Sequence, residues 1–234
     1  MAPVTSSVGA VLARLPLFSQ VSADLLAVLS AAAVPVTLGR GEVLFHRGEE
    51  CTGFFVVLRG QVKLAVTSAE GNEKVLEIIG AGETFAEGVM FADRPYPVTA
   101  TALVAVDLLS VPRRTVLDLI DAEPTFARRM LAGMSVRLHT MVADVSAMAL
   151  HSGTQRVIGF LLAEAAPDDA TLRAGGSAVV RLPAGKAVLA SRLSLTPETF
   201  SRVLRSLAEQ GLAQVDGRHV TLPDLARLAA WSGA

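Results

Sequence analysis

The segment from Leu195 to Leu207 has the most specific helical pattern in this chain. Thr196 is expected to cap the helix, and Pro197 suits its first turn because an N–H there would be unpaired in any case. One face is apolar at three- and four-residue spacing and is predicted to be buried: Phe200, Val203, Leu204 and Leu207. The other face is predicted to be exposed and polar: Glu198, Ser201, Arg202 and Arg205.

The residues around this helix predict a helix-turn-helix followed by a hairpin. Pro183 is expected to begin a short helix, and Ser191–Leu195 to form the turn between the two helices. Gly211 is expected to end the second helix. Asp216-Gly217 then separates two β-prone runs and is typical of a hairpin turn. A capped helix after a short helix and a tight turn is the arrangement whose second helix enters the major groove of DNA.

The residues before this region predict a hinge and one further helix. His151-Ser152-Gly153 is the expected hinge, and Thr154 is expected to cap a helix over Gln155–Ala163. Residues 166–170 and 173–177 are rich in proline, aspartate and glycine and are predicted to be loop. The hinge would separate the C-terminal domain from what precedes it.

The middle of the chain predicts a long helix that begins near Pro124. Six residues follow the alternating three-and-four spacing of heptad a and d positions: Leu131, Met134, Leu138, Met141, Val145 and Met148. A helix buried within its own chain would also carry an apolar stripe. The stripe continues for over two heptads, which favours a parallel homodimer with a methionine-rich seam that can re-pack.

The N-terminal two-fifths of the chain predicts a β domain. After a helix capped by Ser22, the pattern changes to short β-prone runs separated by glycine-containing turns. Such spacing is typical of an antiparallel roll or barrel. The predicted strands are Val34–Leu38, Glu42–His46, Gly53–Leu58, Gln61–Thr67, Lys74–Ile79 and Leu103–Val111.

Composition excludes several classes. The hydrophobic fraction of 51% and the mean hydropathy of +0.48 are high. Yet no uncharged apolar run reaches the ~18 residues that a membrane helix needs. The N-terminus lacks a secretion-signal pattern, and a single cysteine, Cys51, excludes an intrachain disulfide, so we expect a cytoplasmic protein. The net charge of -1 does not indicate a nucleic-acid-binding protein. The local distribution of charge is therefore more informative about nucleic-acid binding than the total.

Turn glycines recur in order, with strands of matching length between them, in four segments: Gly41-Glu42, Gly48–Glu50, Phe54–Lys63 and Gly82–Glu87. They resemble the β-roll of the CRP/FNR superfamily (cyclic-AMP receptor protein and fumarate–nitrate regulator). The resemblance implies an α+β fold with a jelly-roll, cyclic-nucleotide-binding-like effector domain, a long dimerisation helix and a winged helix-turn-helix domain. The implied boundaries are a flexible N-terminus at 1–14, the β-roll at 15–122, the helix at 123–152 and the DNA-binding domain at 153–234.

The resemblance also frames the effector pocket, for which the candidate residues are Glu87, Arg94 and Tyr96. In nucleotide-binding members a Gly-Glu turn meets the ribose and an arginine holds the cyclic phosphate. Glu87 matches the turn, but Ala86 replaces its glycine, and the phosphate arginine aligns with Tyr96. The next residue, Pro97, has no N–H to offer a phosphate. A cyclic nucleotide is therefore not expected, although a cyclic-nucleotide-responsive regulator or binding module stays the alternative.

Phe85–Phe91 and Tyr96–Leu103 most resemble the DNR branch, whose members regulate denitrification in response to nitric oxide. This likeness implies haem as a cofactor. The sequence contains no Cys-x-x-Cys-His attachment site, and each of its four histidines has an ordinary structural alternative, so no metal ligand is assigned. These histidines are His46, His139, His151 and His219.

The spacing of Glu198, Ser201 and Arg202 is similar to the recognition helix of FNR and DNR regulators and implies TTGAT-like half-sites in an inverted repeat. Arg202 can hold guanine O6 and N7, Glu198 can accept from cytosine N4, and Ser201 can meet an A·T pair. Contacts to the DNA backbone are expected from Arg192, Thr196 and Arg205. Ser194 stands where many helix-turn-helices have glycine.

The sequence thus predicts a homodimeric transcription factor that binds palindromic double-stranded DNA and, by resemblance, RNA polymerase. An enzyme is not expected, because no catalytic triad, phosphate-binding loop or metal-ligand spacing is present in the sequence.

Overall fold

Eight strands in residues 21–140 form the predicted β-roll as two antiparallel sheets. The structure is a computed structural model and describes residues 8–10, 12–13, 18 and 21–231. The strands are β1 (Val34–Leu38), β2 (Val43–Phe45), β3 (Gly53–Arg59), β4 (Val62–Thr67), β5 (Glu73–Ile79), β6 (Thr84–Phe85), β7 (Thr99–Ala102) and β8 (Val106–Pro112). Their orders are β1-β8-β3-β6 and β2-β7-β4-β5, and the fold class is as predicted.

Two short strands were not predicted. β6 has two residues, and β7 consists of threonine and alanine, of which alanine is depleted in strands. Leu103–Val111 was predicted as one strand, but β8 begins at Val106 because the chain turns between β7 and β8. Both missed strands are held by pairing with partners distant in sequence, which short-range patterns do not report.

Two glycines are required by close backbone approach. Gly60 follows β3 with φ of 87°, and a Cβ there would lie 2.3 Å from Ala105 O. A Cβ on Gly53 would lie 2.0 Å from Val111 O, because β3 and β8 pair at this point. Any side chain at either position would force the strands apart.

The core of the β-roll is rich in aromatic side chains. Phe54 and Phe85 are fully buried, and Phe18 stacks on Phe126 with ring centroids 5.7 Å apart. Such pairs add about 0.5–1.5 kcal/mol beyond the burial of their surface. The predicted flexible N-terminus, residues 1–14, lies mostly outside the described residues; among those described, Val8 and Leu12 are buried in this core.

Within residues 21–150, four helices accompany the roll: α1 (Ala23–Ala32), α2 (Glu87–Ala92), α3 (Arg113–Ala122) and α4 (Pro124–Leu150). Ser22 caps α1 as predicted, since its side chain accepts a hydrogen bond from Leu25 N. The predicted long helix is confirmed as α4. The chain divides into two compact units, Met1–Thr140 and Met141–Ala234. Across the described residues, no helix is both long and apolar enough to cross a membrane.

The second unit is a helical domain with a small sheet. Its helices are α5 (Gly153–Ala165), α6 (Asp169–Arg173), α7 (Lys186–Arg192), α8 (Pro197–Glu209) and α9 (Leu225–Ala229). Its strands are β9 (Ala178–Arg181), β10 (Gln214–Asp216) and β11 (His219–Leu222), in the order β10-β11-β9. This is the predicted winged helix-turn-helix fold.

Local predictions in this unit needed three corrections. Ser152, not Thr154, caps α5, because Ser152 Oγ and the Gln155 side chain form reciprocal bonds with the backbone. α7 begins at Lys186 rather than at Pro183. Part of the segment predicted as loop is the helix α6. Asp168 caps the N-terminus of this helix, since its side chain accepts a hydrogen bond from Thr171 N.

Candidate nucleic-acid interface

The helix α8 has the predicted cap and the predicted buried face. Thr196 Oγ1 accepts from Thr199 N at 3.2 Å, and Pro197 stands in the first turn. All four residues of the predicted stripe are buried: Phe200, Val203, Leu204 and Leu207. Because one whole face of α8 is buried, the orientation of the helix about its own axis is fixed, and the polar face is exposed to solvent.

The outer face of α8 carries both signs of charge at its N-terminal half. Glu198, Arg202 and Arg205 are exposed, and Ser201 is half-buried. The backbone N–H of Glu198 itself, followed by the nearby Thr196 side chain, lowers the pKa of the Glu198 carboxyl. Glu198 is therefore an anionic acceptor at neutral pH, as a contact to cytosine N4 requires.

The turn before α8 uses a strained serine. Ser194 has φ of 54°, in the left-handed region that glycine adopts at no steric cost. This explains why glycine is common at this position in helix-turn-helices. Arg192 lies half-buried in the last turn of α7, and Thr196 is exposed with its hydroxyl oxygen engaged in the cap.

The hairpin of β10 and β11 is confirmed, with a small shift of its turn. Asp216 pairs with His219, which leaves Gly217-Arg218 as the two-residue loop. Gly217 has φ of 57°, and a glycine first in a two-residue loop suits a type II′ turn. Arg218 Nη2 donates to Pro183 O at 2.8 Å, which ties the hairpin tip to the segment before α7.

The apolar stripe of α4 is mostly exposed within a single chain. Leu131, Leu138 and Val145 are 62%, 60% and 65% exposed, and Met141 and Met148 are exposed as well. Met134 differs, because it is half-buried and lies close to Gly88, where an added Cβ would be 3.6 Å from Met134 Cε. Five large apolar side chains on one helix in water indicate a surface that is covered in the functional state.

The candidate effector residue Glu87 is paired with the long helix. Its side chain is only 12% exposed, and Arg137 Nη1 lies 3.8 Å from Glu87 Oε2. Arg137 also donates to Glu77 Oε2 at 2.6 Å and to Thr84 O at 2.9 Å. Ala86, which replaces the family glycine, has φ of 75°, so the glycine-like backbone is retained without the glycine.

The position expected to hold a cyclic phosphate is filled by an aromatic ring. Tyr96 is 3% exposed and stacks on Phe45 with ring centroids 3.6 Å apart. Burial, and then the neighbouring Cys51 thiol, raise the pKa of Tyr96 to about 12, so its hydroxyl is neutral. Arg94 is exposed. The three candidate effector residues therefore differ in environment: Glu87 is close to Arg137, Tyr96 is buried and Arg94 is exposed.

We expect Tyr96→Phe to stabilise the folded protein by about 1 kcal/mol, because Tyr96 Oη is buried without a hydrogen-bond partner among the described residues. Cys51 and Thr52 lie beside the hydroxyl, without good hydrogen-bond geometry to it. Thermal unfolding would show this as a rise of about 2–4 °C in Tm. A lower Tm would instead mean that Tyr96 Oη makes a hydrogen bond, and that this bond stabilises the folded protein by more than the burial of the hydroxyl destabilises it.

The histidines do not form a buried metal site. All four are exposed, and no group of three His, Cys, Asp or Glu side chains suited to a metal occurs among the described residues. His139 has a defined ring contact: its Nδ1 lies 2.8 Å from Ser135 O. A carbonyl oxygen only accepts, so Nδ1 carries the hydrogen in this contact.

Two arginines in important positions were not predicted from the sequence. Arg137 joins α4 to the roll, and Arg156 on α5 donates to the turn before α8. A signal for Arg137 existed: Met130, Met134 and Arg137 follow at four- and three-residue spacing and mark a second face of α4. For the contact of Arg156 with the turn no local signal existed, since the two turn carbonyls lie 37 and 38 residues away.

Comparisons with known families agree with this architecture. The cyclic nucleotide-binding domain family matches residues 35–123, and the Crp-like helix-turn-helix domain family matches residues 155–231. The CRP-like cAMP-activated global transcriptional regulator of Mycobacterium tuberculosis is 26% identical over 219 residues, which cover 94% of this chain and 97% of that protein.

Solved structures show the same arrangement. DNR from Pseudomonas aeruginosa is 33% identical, with 95% of this chain and 96% of that chain covered and a TM-score of 0.50. FixK2 from Bradyrhizobium japonicum has a TM-score of 0.73 over 86% of this chain and 98% of its own; at 22% identity this likeness concerns the fold alone.

A sensor-type β-roll and a Crp-like helix-turn-helix on one chain define a DNA-binding transcriptional regulator. The chain belongs to the CRP/FNR family of such regulators.

Proposed function

We propose that this regulator acts as a homodimer that reads an FNR-like inverted repeat through Glu198, Ser201 and Arg202. The observation that carries the proposal is the outer face of α8, where Glu198 and Arg202 are exposed one helical turn apart. In this reading Arg202 contacts guanine and Glu198 contacts cytosine, and Ser201 meets the neighbouring A·T pair. Arg192, Thr196 and Arg205 contact phosphates and set the register of the helix on the duplex.

The dimer follows from α4. Its exposed stripe is self-complementary when two parallel helices pack with their a and d residues together. Two recognition helices related by a two-fold axis then face two half-sites about one helical turn apart, roughly 10 base pairs. RNA polymerase is the proposed protein partner at promoters, on the strength of the family resemblance.

A direct test measures binding of the full-length protein to a duplex with two inverted TTGAT half-sites. We expect the dissociation constant to be at least about a thousandfold lower than for a scrambled duplex of equal length, measured at the same salt concentration. Scrambling one half-site should remove most of that difference. Equal affinity for all three duplexes would refute the proposed site.

We propose a signal other than a cyclic nucleotide, and specifically nitric oxide sensed through haem. The buried Tyr96–Phe45 stack supports the first part, because it leaves an uncharged ring where a cyclic phosphate would need an arginine. The likeness of Phe85–Phe91 and Tyr96–Leu103 to the DNR branch supports the second.

No histidine is assigned as a haem ligand, because all four are exposed and no cluster of three metal-binding side chains occurs among the described residues. Haem would supply an iron that binds nitric oxide. The absorption spectrum of protein reconstituted with haem tests this proposal: we expect a Soret band that shifts on addition of nitric oxide. No shift would remove the haem proposal and leave DNA binding untouched.

The alternative is a cyclic-nucleotide-responsive regulator. It is favoured by the match to the cyclic nucleotide-binding domain family and by a relative described as cAMP-activated. Calorimetric titration with cyclic AMP separates the two. Heat of binding with a saturable stoichiometry, together with tighter DNA binding, would replace the nitric oxide proposal by the alternative.

A further inference from the structure

The connection between α4 and α5 is short and is held by hydrogen bonds. His151 N donates to Ala147 O at 3.0 Å, so the helical bonding of α4 continues to His151. Ser152 N then donates to Gln155 Oε1 at 2.8 Å, and Gln155 N donates back to Ser152 Oγ at 3.3 Å. The predicted hinge is thus reduced to one extended residue, Ser152. It lies between the helical hydrogen bonding of α4 and the capping hydrogen bonds of α5.

One side chain joins this hinge to the turn before the recognition helix α8. Arg156 is half-buried, and its Nη1 donates to His151 O at 2.8 Å. Its Nε donates to Leu193 O at 2.9 Å, and its Nη2 lies 3.4 Å from Ser194 O. The planar guanidinium presents these donors in a fixed fork, so it sets the distance between the hinge carbonyl and the turn carbonyls.

A second and independent contact joins the same two segments. A Cβ added to Gly153 would lie 3.0 Å from Leu195 Cδ2, tighter than ordinary van der Waals contact. The φ of Gly153 is not in the left-handed region, so backbone conformation does not require glycine here. Glycine provides space, and that space is occupied by the residue directly before the cap of α8.

We infer that Arg156 and Gly153 lock the hinge to the turn at Leu193–Leu195, so that the recognition helix follows the end of α4 and does not swivel independently. This inference deepens the proposed function and rests on it, since it describes how a change in α4 reaches Glu198 and Arg202. Arg156 is in this sense a positioning residue that acts through the turn. The strained φ of Ser194 makes that turn sensitive to displacement.

The first test uses matched glycine substitutions in the full-length protein. Gly153→Leu places a side chain against Leu195, whereas a Cβ on the exposed Gly159, in the same helix, meets nothing within 4 Å. We expect Gly153→Leu to weaken binding to the inverted repeat at least about fivefold and to speed amide hydrogen exchange at 193–196. Gly159→Leu should change neither quantity. Equal effects of the two substitutions would overturn the lock.

The second test concerns the fork of Arg156. We expect Arg156→Gln to weaken binding about tenfold while the protein stays a dimer, and Arg156→Lys to restore only a small part of the loss, because one ammonium cannot span both segments. Full recovery with lysine would show that charge alone matters and would refute the fork. The double variant Gly153→Leu/Arg156→Gln should lose less than the product of the single effects, since both break one lock. Strict additivity would count against the inference.

These outcomes separate the lock from the proposed DNA site. If the wild-type protein does not prefer the inverted repeat, the proposed function fails, but hydrogen exchange at 193–196 still reports on the lock. If the wild-type protein prefers the repeat and exchange at 193–196 is identical in Gly153→Leu and Gly159→Leu, the lock fails and the proposed function stands.

Discussion

Arg202→Ala is expected to weaken binding to the cognate inverted repeat by about 1–3 kcal/mol and to relax base preference at one position in each half-site. The Arg202 side chain is exposed, whereas its neighbour Val203 is buried in the stripe that fixes the rotation of α8. Removing the guanidinium would therefore delete the proposed base contact without disturbing the packing of the helix. Stability should change little, which thermal unfolding would verify.

Arg205→Ala is the matched control for this prediction. Arg205 is equally exposed, three residues further along α8, and is assigned to phosphate. Its loss should weaken binding to all sequences by a similar factor and should lower the slope of log affinity against log salt by about one. A uniform loss with Arg202→Ala, and a base-specific loss with Arg205→Ala, would reverse the two roles.

Leu138→Glu is expected to convert the dimer to monomers and to abolish high-affinity binding to the palindrome. Leu138 is 60% exposed in the single chain, so the substitution costs the protomer little. In the dimer it would bury two unpaired carboxylates near the symmetry axis, at a cost of about 3–5 kcal/mol or more. Sedimentation velocity should show a dissociation constant for the dimer raised at least about a hundredfold.

Ala143→Glu provides the comparison on the same helix. Ala143 is exposed and lies off the apolar stripe, at the heptad position that faces away from a parallel partner. It should leave dimerisation and DNA affinity unchanged within about twofold. If both glutamate variants stay dimeric, the stripe of α4 is not the dimer interface.

The recognition helix could be predicted from its sequence because its determinants are local. A cap, a proline in the first turn and an apolar stripe all lie within residues 195–207, and each has the predicted place in the structure. The long strands were found for the same reason. Thr154 was wrongly chosen as a cap because the hinge was expected to extend through Gly153. The Ser-x-x-Gln spacing of Ser152 and Gln155, which is the capping-box pattern, was overlooked.

The sequence by itself determined the order of the long strands and of the main helices, the buried face of α8 and the residues on its outer face, since periodicity and capping act over a few residues. Only the tertiary structure decided that Tyr96 stacks on Phe45, that Arg137 holds Glu77 and that Arg156 ties the hinge to the turn. These contacts join residues 37 to 60 positions apart in the chain. Their partners are chosen by chain topology, which brings distant segments within hydrogen-bond distance after the local elements have formed.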